Sequence, residues 1–174
     1  MLETLITSKT RIKLLLKFFL NSDTRAYLRS LESEFGESSN AIRLELNRFE
    51  DAGLLVSSAS GNKKLYQANR SHPFFNELNN IIFKFVGIDE IIEKVLRRIG
   101  DLQSAYITGD FARGRDSKVI DLLLVGAELN RAYAAKLVEK AEKVIKRKIR
   151  LLIMEADEVD SYISTNEALL IWER

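Results

Sequence analysis

The stretch "GDFARGRDSKVIDLLLV", residues 109–125, decides how the second half of this chain is interpreted. It opens with a loop rich in glycine and charged residues, a composition found in loops that grip phosphate. It closes on "VIDLLLV", an apolar run interrupted by Asp121, and such a run is typical of a buried central strand. Together with "SAYIT" just before it, the stretch predicts two strands joined by a loop.

The segments on either side of this unit extend the pattern. An amphipathic helix is predicted over "GIDEIIEKVLRRIG", before the first strand. The helix "NRAYAAKLVEKAEKVIKRK", the strand "IRLLIME" and the short helix "EADEVDSYIST" follow, and "EALLIWER" closes the sequence. The order helix, strand, loop, strand, helix, strand predicts an α/β domain over residues 88–174.

The loop and its following strand resemble the minimal nucleotidyltransferases. In that family a strand is followed by Gly-Ser, often by Ala-Arg-Gly, and then by a strand carrying Asp-x-Asp, while a later strand supplies a third acid. The resemblance covers about residues 88–155 and implies a nucleotide site formed by Gly109, Asp110, Arg113, Gly114, Ser117 and Asp121.

This sequence departs from the family pattern at three places. Val119 stands where the first acid of Asp-x-Asp belongs, Asp110 replaces the serine after the glycine, and "IRLLIME" offers no acid before Glu155. Nucleotidyl transfer uses two magnesium ions about 4 Å apart, bridged by carboxylates, and valine cannot ligate a metal. We therefore expect that the chain is not an enzyme, has no catalytic residue, metal ligand or cofactor, and keeps a remnant of the nucleotide site.

The alternative is an active, magnesium-dependent nucleotidyltransferase. In that case Asp110, Asp116 and Asp121 would form a different carboxylate set, since magnesium prefers carboxylate and phosphate oxygens. The spacing of these residues does not itself favour this carboxylate set over the hypothesis of an inactive remnant site.

The first half predicts three helices and a hairpin. Helices are expected over "SKTRIKLLLKFFLN" and "TRAYLRSLESEFG", and a third begins at a capping Ser38 or Ser39. "LLVSS" and "LYQA" read as strands on either side of the turn "ASGNKK". The stretch "SSNAIRLELNRFEDAGLL" resembles the recognition helix of winged-helix regulators of the MarR and ArsR types. We therefore predict an α+β chain: a winged helix-turn-helix followed by a small α/β nucleotidyltransferase-like domain with a mixed sheet.

The third helix and the hairpin tip carry the residues expected to contact DNA. Arginine pairs with guanine and asparagine with adenine in the major groove, and lysines at a wing tip add salt-dependent contacts to phosphate. The predicted DNA-binding residues are Ser38, Ser39, Asn40, Arg43, Asn47, Arg48, Lys63 and Lys64. The same charges could instead be surface ion pairs, which contribute little.

These patterns predict three segments and one function. Residues 1–70 form the DNA-binding domain, residues 71–87 a connecting helix whose many apolar residues suit an interdomain or dimer contact, and residues 88–174 the nucleotidyltransferase-like domain. We expect a transcriptional regulator that binds double-stranded DNA, as a homodimer, with the second domain serving as sensor, dimerisation or docking module for a nucleotide or protein effector. A third hypothesis is that the chain is a protein-interaction scaffold without DNA affinity.

Composition excludes several kinds of site. The chain has no cysteine, so disulfides, thiol catalysis and cysteine-ligated zinc are excluded, and its single histidine rules out a histidine cluster. No uncharged run approaches the about 20 residues of a membrane span. We therefore expect a cytoplasmic protein that does not bind membranes. The basic run "KAEKVIKRKIR" could extend a DNA footprint or form the solvated face of a helix.

Overall fold

The computed structural model describes residues 2–174 and divides into two compact units, Met1–Ile82 and Phe83–Arg174. Its helices are α1 (Leu2–Leu5), α2 (Lys9–Leu15), α3 (Leu28–Phe35), α4 (Ser39–Asp51), α5 (Phe75–Val86), α6 (Ile88–Lys94), α7 (Gly109–Ala112), α8 (Arg131–Ile145) and α9 (Ala156–Thr165). Its strands are β1 (Arg25–Tyr27), β2 (Leu55–Ser60), β3 (Lys63–Ala68), β4 (Ser104–Thr108), β5 (Val119–Val125), β6 (Lys148–Met154) and β7 (Ala168–Glu173). A π-helical turn, Leu16–Leu20, continues α2, and a 3-10 turn, Leu96–Arg98, follows α6.

Serine caps start the main helices of the first unit. The Ser8 hydroxyl accepts the backbone N–H of Arg11 at 3.2 Å, and the Ser38 hydroxyl accepts that of Ala41 at 3.3 Å. Each cap satisfies a donor that the helix itself leaves unpaired. The apolar sides of α2, α3, α4 and the π-helical turn bury Leu14, Phe18, Leu31, Ile42 and Leu46 completely.

A three-stranded antiparallel sheet, in the order β1-β3-β2, completes the first unit. The segment "TRAY" was expected to begin the second helix, but Arg25–Tyr27 is a strand paired with β3, Tyr27 lying opposite Leu65. The Ser30 hydroxyl accepts the Tyr27 N–H at 3.1 Å and caps α3 there, so the helix begins only at Leu28. The assignment of these elements to a winged helix stays a prediction.

The second unit contains a mixed four-stranded sheet in the order β6-β5-β4-β7. Strands β5 and β6 are parallel, while β4 is antiparallel to both β5 and β7, as the predicted mixed sheet requires. One face of β5 buries Ile120, Leu122 and Leu124 completely or almost completely. On the other face, Leu123 and Val125 pack against Val159 of α9, which leaves the Asp121 end of that face outside this cluster.

The loop "GDFARGRDSK" is partly helical. Gly109–Ala112 forms the single helical turn α7, although the sequence predicted loop throughout. Phe111 and Ala112 are fully buried, and burial of this apolar pair favours the turn over an open loop.

None of the helices described over residues 2–174 has the length and the apolar composition that a membrane span needs.

Candidate functional site

The carboxylate of Asp121 lies against the backbone of Gly109. These residues come from neighbouring strands, since Thr108 pairs with Asp121 across the β4–β5 ladder and Gly109 follows directly. Gly109 has φ +67°, and a Cβ built on it would stand 2.4 Å from Asp121 Oδ2. Glycine is therefore required here both for its backbone conformation and for the close approach of the carboxylate.

Arg150 faces Asp121 from the next strand. The parallel register of β5 and β6 places the two residues side by side, and Arg150 Nε lies 3.2 Å from Asp121 Oδ1. The strand in which the family resemblance implies a third acid thus presents a cation at this level of the sheet. The side chain of Arg150 is 74% exposed, so it is free to change partner.

Asp121 opens into a cleft of ≈ 290 Å³, which we call the Asp121 cleft. Its lining is made up of Thr108, Gly109, Arg113, Asp121, Leu122, Arg150, Leu151, Leu152, Tyr162, Asn166 and Glu167. Arg113 Nε and Glu167 Oε2 are 3.7 Å apart, both on exposed side chains. The cleft therefore combines two cations, two carboxylates and an apolar wall that includes Leu152 and Tyr162.

The predicted nucleotide-site residues divide into two groups. Gly109, Arg113 and Asp121 line the cleft. The other three do not line it: the Asp110 carboxylate pairs with Arg115 at 3.2 Å, the Ser117 hydroxyl accepts the Val119 N–H at 3.2 Å, and Gly114 follows α7 with φ +70°. Sequence reasoning missed Tyr162, Asn166 and Glu167 at the cleft, because α9 and its connection to β7 bring them there without a local signal.

The residues present do not fit a pair of magnesium ions. In the described chain, 2–174, no three acidic or histidine side chains cluster as a metal site would require. Each carboxylate of the alternative set has its own cation: Asp110 pairs with Arg115, Asp116 with Arg147 at 2.8 Å, and Asp121 with Arg150. No chemical step is therefore assigned to a metal ion.

A second concave surface lies in the first unit, between α3, α4 and the β2–β3 hairpin. It encloses ≈ 500 Å³, and we call it the α4 groove. Its lining is formed by Tyr27, Leu28, Arg29, Glu32, Arg43, Asn47, Asn62, Lys63, Lys64 and Tyr66. Four predicted DNA-binding residues, Arg43, Asn47, Lys63 and Lys64, meet in this groove. Sequence reasoning missed the two tyrosines and Arg29.

Each hairpin lysine has a partner, Tyr27 in the groove and Glu50 outside its lining. Lys63 Nζ lies 5.9 Å from the centre of the Tyr27 ring, and Lys64 Nζ lies 3.2 Å from Glu50 Oε2. The hydrogen bond from Ser57 and the contact with Lys64 hold the Glu50 pKa below its usual value. Both lysine charges stay at the surface, where phosphate can compete for them.

The remaining predicted DNA-binding residues serve the helix itself. Ser38 is the N-cap of α4, Ser39 is its first residue, and the Asn40 side-chain oxygen accepts from Arg43 at 3.5 Å. Arg48 Nη1 donates to Glu45 Oε1 at 2.9 Å, so its charge faces a buried carboxylate.

The buried Glu45 carboxylate is the centre of an ion-pair network whose two arginine side chains are partly exposed. Its carboxylate accepts from Arg11 Nε at 2.8 Å, from the Ser8 hydroxyl at 3.2 Å and from Arg48. Burial alone would raise the pKa of Glu45, but the hydrogen bond and charge of Arg11 outweigh it and the pKa is lowered. The network joins the start of α2 to the middle of α4 and so fixes the helix that lines the groove.

Neither a protein-family model nor a curated protein matches this sequence. Several solved structures resemble about half of the chain, and three of them are described below. A mutant of the MntA–HpeT toxin–antitoxin pair has 19% identity and a TM-score of 0.42, covering 50% of this chain and 72% of its own. AF1382 from Archaeoglobus fulgidus has 16% identity and a TM-score of 0.39, covering 53% of this chain and 98% of its own. A candidate nucleotidyltransferase from Sulfolobus solfataricus has 25% identity and a TM-score of 0.38, covering 52% of this chain and 80% of its own.

The prediction that the chain is not an enzyme is corrected by these comparisons. A candidate nucleotidyltransferase is among the solved structures that about half of the chain resembles. A valine at position 119 does not establish inactivity. At these TM-scores the likenesses assign no substrate and no partner to this chain.

Proposed function

We propose that this chain binds a nucleoside triphosphate in the Asp121 cleft, as a nucleotidyltransferase-type protein, and that its first unit directs it to duplex DNA. The observation that carries the proposal is the close approach of the Asp121 carboxylate to Gly109, beside the cations of the cleft. A carboxylate held against a backbone turn, with arginines beside it, suits a reaction on phosphate esters.

The cleft has separate surfaces for the parts of a nucleotide. Arg113 and Arg150 present guanidinium groups, which suit phosphate oxygens because their fork geometry allows paired hydrogen bonds. Leu152 and Tyr162 present apolar and aromatic surface to the same space, which suits a base or a ribose. A phosphate that draws Arg150 away would release Asp121 from its ion pair.

The reaction we propose is displacement at the α-phosphorus. An acceptor hydroxyl oxygen forms a bond to phosphorus, the bond to the bridging oxygen breaks, and pyrophosphate leaves with its electron pair. The proton of the hydroxyl passes to the Asp121 carboxylate. Arg113 and Arg150 then offset the charge that builds on the phosphate oxygens.

Transfer of label from α-labelled ATP tests this function. The protein is incubated with labelled ATP, magnesium and duplex DNA, and label on protein and on DNA is measured separately. We expect label transfer by the wild type and a loss of about 100-fold or more in Asp121→Asn, the size of a general-base contribution. Asp101→Asn, an exposed carboxylate outside the cleft, is the matched control. Equal labelling by wild type and Asp121→Asn, or no labelling at all, would contradict the reaction.

The second candidate function is transcriptional regulation through the α4 groove. Its support is that Arg43 and Asn47 on one helix, and Lys63 and Lys64 on the hairpin, line one concave surface. A helix fits the major groove of B-DNA, where arginine and asparagine recognise guanine and adenine. In this reading a nucleotide in the Asp121 cleft is the effector. A homodimer that reads paired half-sites stays a prediction.

Fluorescence anisotropy tests DNA binding independently of nucleotide chemistry. Duplexes from the region upstream of the coding sequence are compared with scrambled duplexes over a salt series. We expect sequence-dependent binding that Arg43→Ala weakens by about 1–3 kcal/mol, the value of a good base contact. Arg70→Ala removes an exposed arginine of the same unit outside the groove and is the control. Equal affinity for both duplexes would contradict the regulator.

A further inference from the structure

A depression lined entirely by charged residues lies at the carboxyl end of α8. It measures ≈ 760 Å³, and we call it the lysine depression. Its lining consists of Lys118, Glu139, Glu142, Lys143, Lys146, Arg147 and Lys148. Five cations against two carboxylates leave the depression with a positive excess, and a concave surface concentrates the resulting field.

The preference of helix ends for cations does not explain this depression. Lysines in the last turn of α8 would suit the negative end of its helix dipole. Lys118 and Lys148, however, stand at the start of the parallel strands β5 and β6, where the Lys148 N–H donates to the Lys118 carbonyl at 3.0 Å. Three elements thus bring like charges together, an arrangement that costs free energy unless a counter-charge arrives.

Part of this charge is neutralised within the unit. Glu142 Oε2 lies 3.0 Å from Lys148 Nζ, and the hydrogen bond from the Ile149 N–H, with that of Lys148, lowers the pKa of Glu142. Arg147 pairs with Asp116 and stacks on the rings of Phe85 and Phe111. The charges of Lys148 and Arg147 are therefore already paired within the protein.

Three lysines remain for a ligand. Lys118, Lys143 and Lys146 are exposed, and none forms an ion pair with another residue of the described chain, 2–174. A lysine ammonium is a point charge on a flexible stem, which suits a row of phosphates whose spacing is not fixed in advance.

We propose that the lysine depression binds the sugar-phosphate backbone of nucleic acid and so adds sequence-independent affinity to the DNA binding of this protein. The inference rests on the proposed DNA binding, since the first unit supplies the sequence-dependent contacts. Nucleic acid is favoured over an anionic membrane because no apolar or aromatic side chain lines the depression for insertion among lipids.

The test is the salt dependence of DNA binding by the full chain. Affinity for a duplex of about three helical turns is measured by anisotropy over a salt series for the wild type and for Lys118→Gln/Lys143→Gln/Lys146→Gln. Each phosphate contact contributes about 0.9 to the slope of log affinity against log salt. We expect the magnitude of this slope to be lower by about 2.7 in the triple variant. The variant should still prefer the duplex from the upstream region to the scrambled duplex.

The control variant removes the same charge elsewhere in the second unit. Lys84→Gln/Arg131→Gln/Lys136→Gln changes three exposed cations that do not line the depression. We expect its slope to match that of the wild type within about one contact. Equal losses in the two variants would show a general charge effect and overturn the proposal.

The remaining outcomes separate the two proposals. If DNA binding depends on Arg43 but has the same salt slope in the lysine variant, the proposal for the lysine depression is wrong and the proposed role of the first unit stands. If DNA binding depends on the three lysines but not on Arg43, the proposal for the depression is supported and base recognition by α4 is wrong. Binding to vesicles of anionic phospholipid, but not to DNA, with the same lysine dependence overturns the choice of nucleic acid. No binding of the wild type to DNA overturns both.

Discussion

The carboxylate of Asp121 occupies the space that a side chain on residue 109 would need, with Oδ2 only 2.4 Å from the position of a Cβ. Substitution Gly109→Ala would therefore displace the carboxylate and strain a backbone with φ +67°. We predict a loss of about 1–3 kcal/mol in the free energy of unfolding, together with loss of nucleotide binding. Thermal denaturation and binding of a fluorescent ATP analogue measure the two effects.

Gly100→Ala separates the effect of backbone strain from the effect of the clash with the Asp121 carboxylate. Gly100 also has positive φ, +94°, but a Cβ there meets nothing within 4 Å. We expect it to lower stability and leave nucleotide binding unchanged. In an Asp121→Ala background the clash is removed, so Gly109→Ala should cost less than in the wild type. Equal costs in both backgrounds would contradict the contact.

The ion-pair network of the buried Glu45 carboxylate makes the first unit sensitive to acid. The folded-state pKa of Glu45 is lowered from 4.5, so its contribution is fully present above pH 4.5 and is lost as pH falls through the folded pKa. We predict that Glu45→Gln lowers the free energy of unfolding near neutral pH by about 2 kcal/mol and flattens its decline at acid pH.

Glu77→Gln provides the comparison for Glu45, because Glu77 is an exposed acid in the same unit. Its unfolding curve should match that of the wild type, since Glu77 takes no part in the Glu45 network. Urea denaturation at each pH measures both variants. A Glu45→Gln protein with unchanged acid sensitivity would contradict the role given to the network.

Arg43 and Arg48 have the same charge on one helix, but their surroundings differ. Arg43 lines the α4 groove, whereas Arg48 donates to the buried Glu45 carboxylate. We predict that Arg43→Ala weakens DNA binding and spares stability, while Arg48→Ala lowers stability by up to about 1 kcal/mol and changes DNA affinity less. Anisotropy and thermal denaturation of the same preparations compare them. A larger loss of DNA affinity from Arg48→Ala would reverse the assignment.

Arg147 holds the loop between α7 and β5. It donates to Asp116 and to the Ser117 carbonyl, and its guanidinium carbon lies over the rings of Phe85 and Phe111, 5.7 and 5.2 Å from their centres. Arg147→Lys keeps the charge but loses the planar stacking surface, so we predict a loss of about 1–2 kcal/mol in stability. The salt slope of DNA binding should not change. Arg131→Lys, on an exposed part of α8, is the control, and equal stability of both variants would contradict the role of the stack.

Local patterns in the sequence predicted the elements well where the signal was short-range. The cap at Ser38 and the buried strand β5 follow from residues within a few positions of one another. The strand Arg25–Tyr27 was missed because its partner β3 lies about 40 residues further along, and ladder pairing outweighed helix propensity.

The composition of the candidate site depended on contacts that no local pattern reports. Arg150 meets Asp121 only through the parallel register of β5 and β6, and Glu167 reaches the cleft only after α9. The prediction that the chain is not an enzyme rested on the missing acid at Val119, and a valine at one position does not establish inactivity.

Nucleotide binding in the Asp121 cleft is the claim on which the account depends most, and a titration of fluorescent ATP analogue tests it directly. Anisotropy is recorded for the wild type, for Arg113→Gln/Arg150→Gln, and for the control Lys84→Gln/Lys136→Gln, which removes the same charge outside the cleft. We predict saturable binding by the wild type and the control, weakened about tenfold or more in the arginine variant, as expected for loss of charge-assisted hydrogen bonds. Equal binding by all three proteins, or no saturable binding by the wild type, would contradict it.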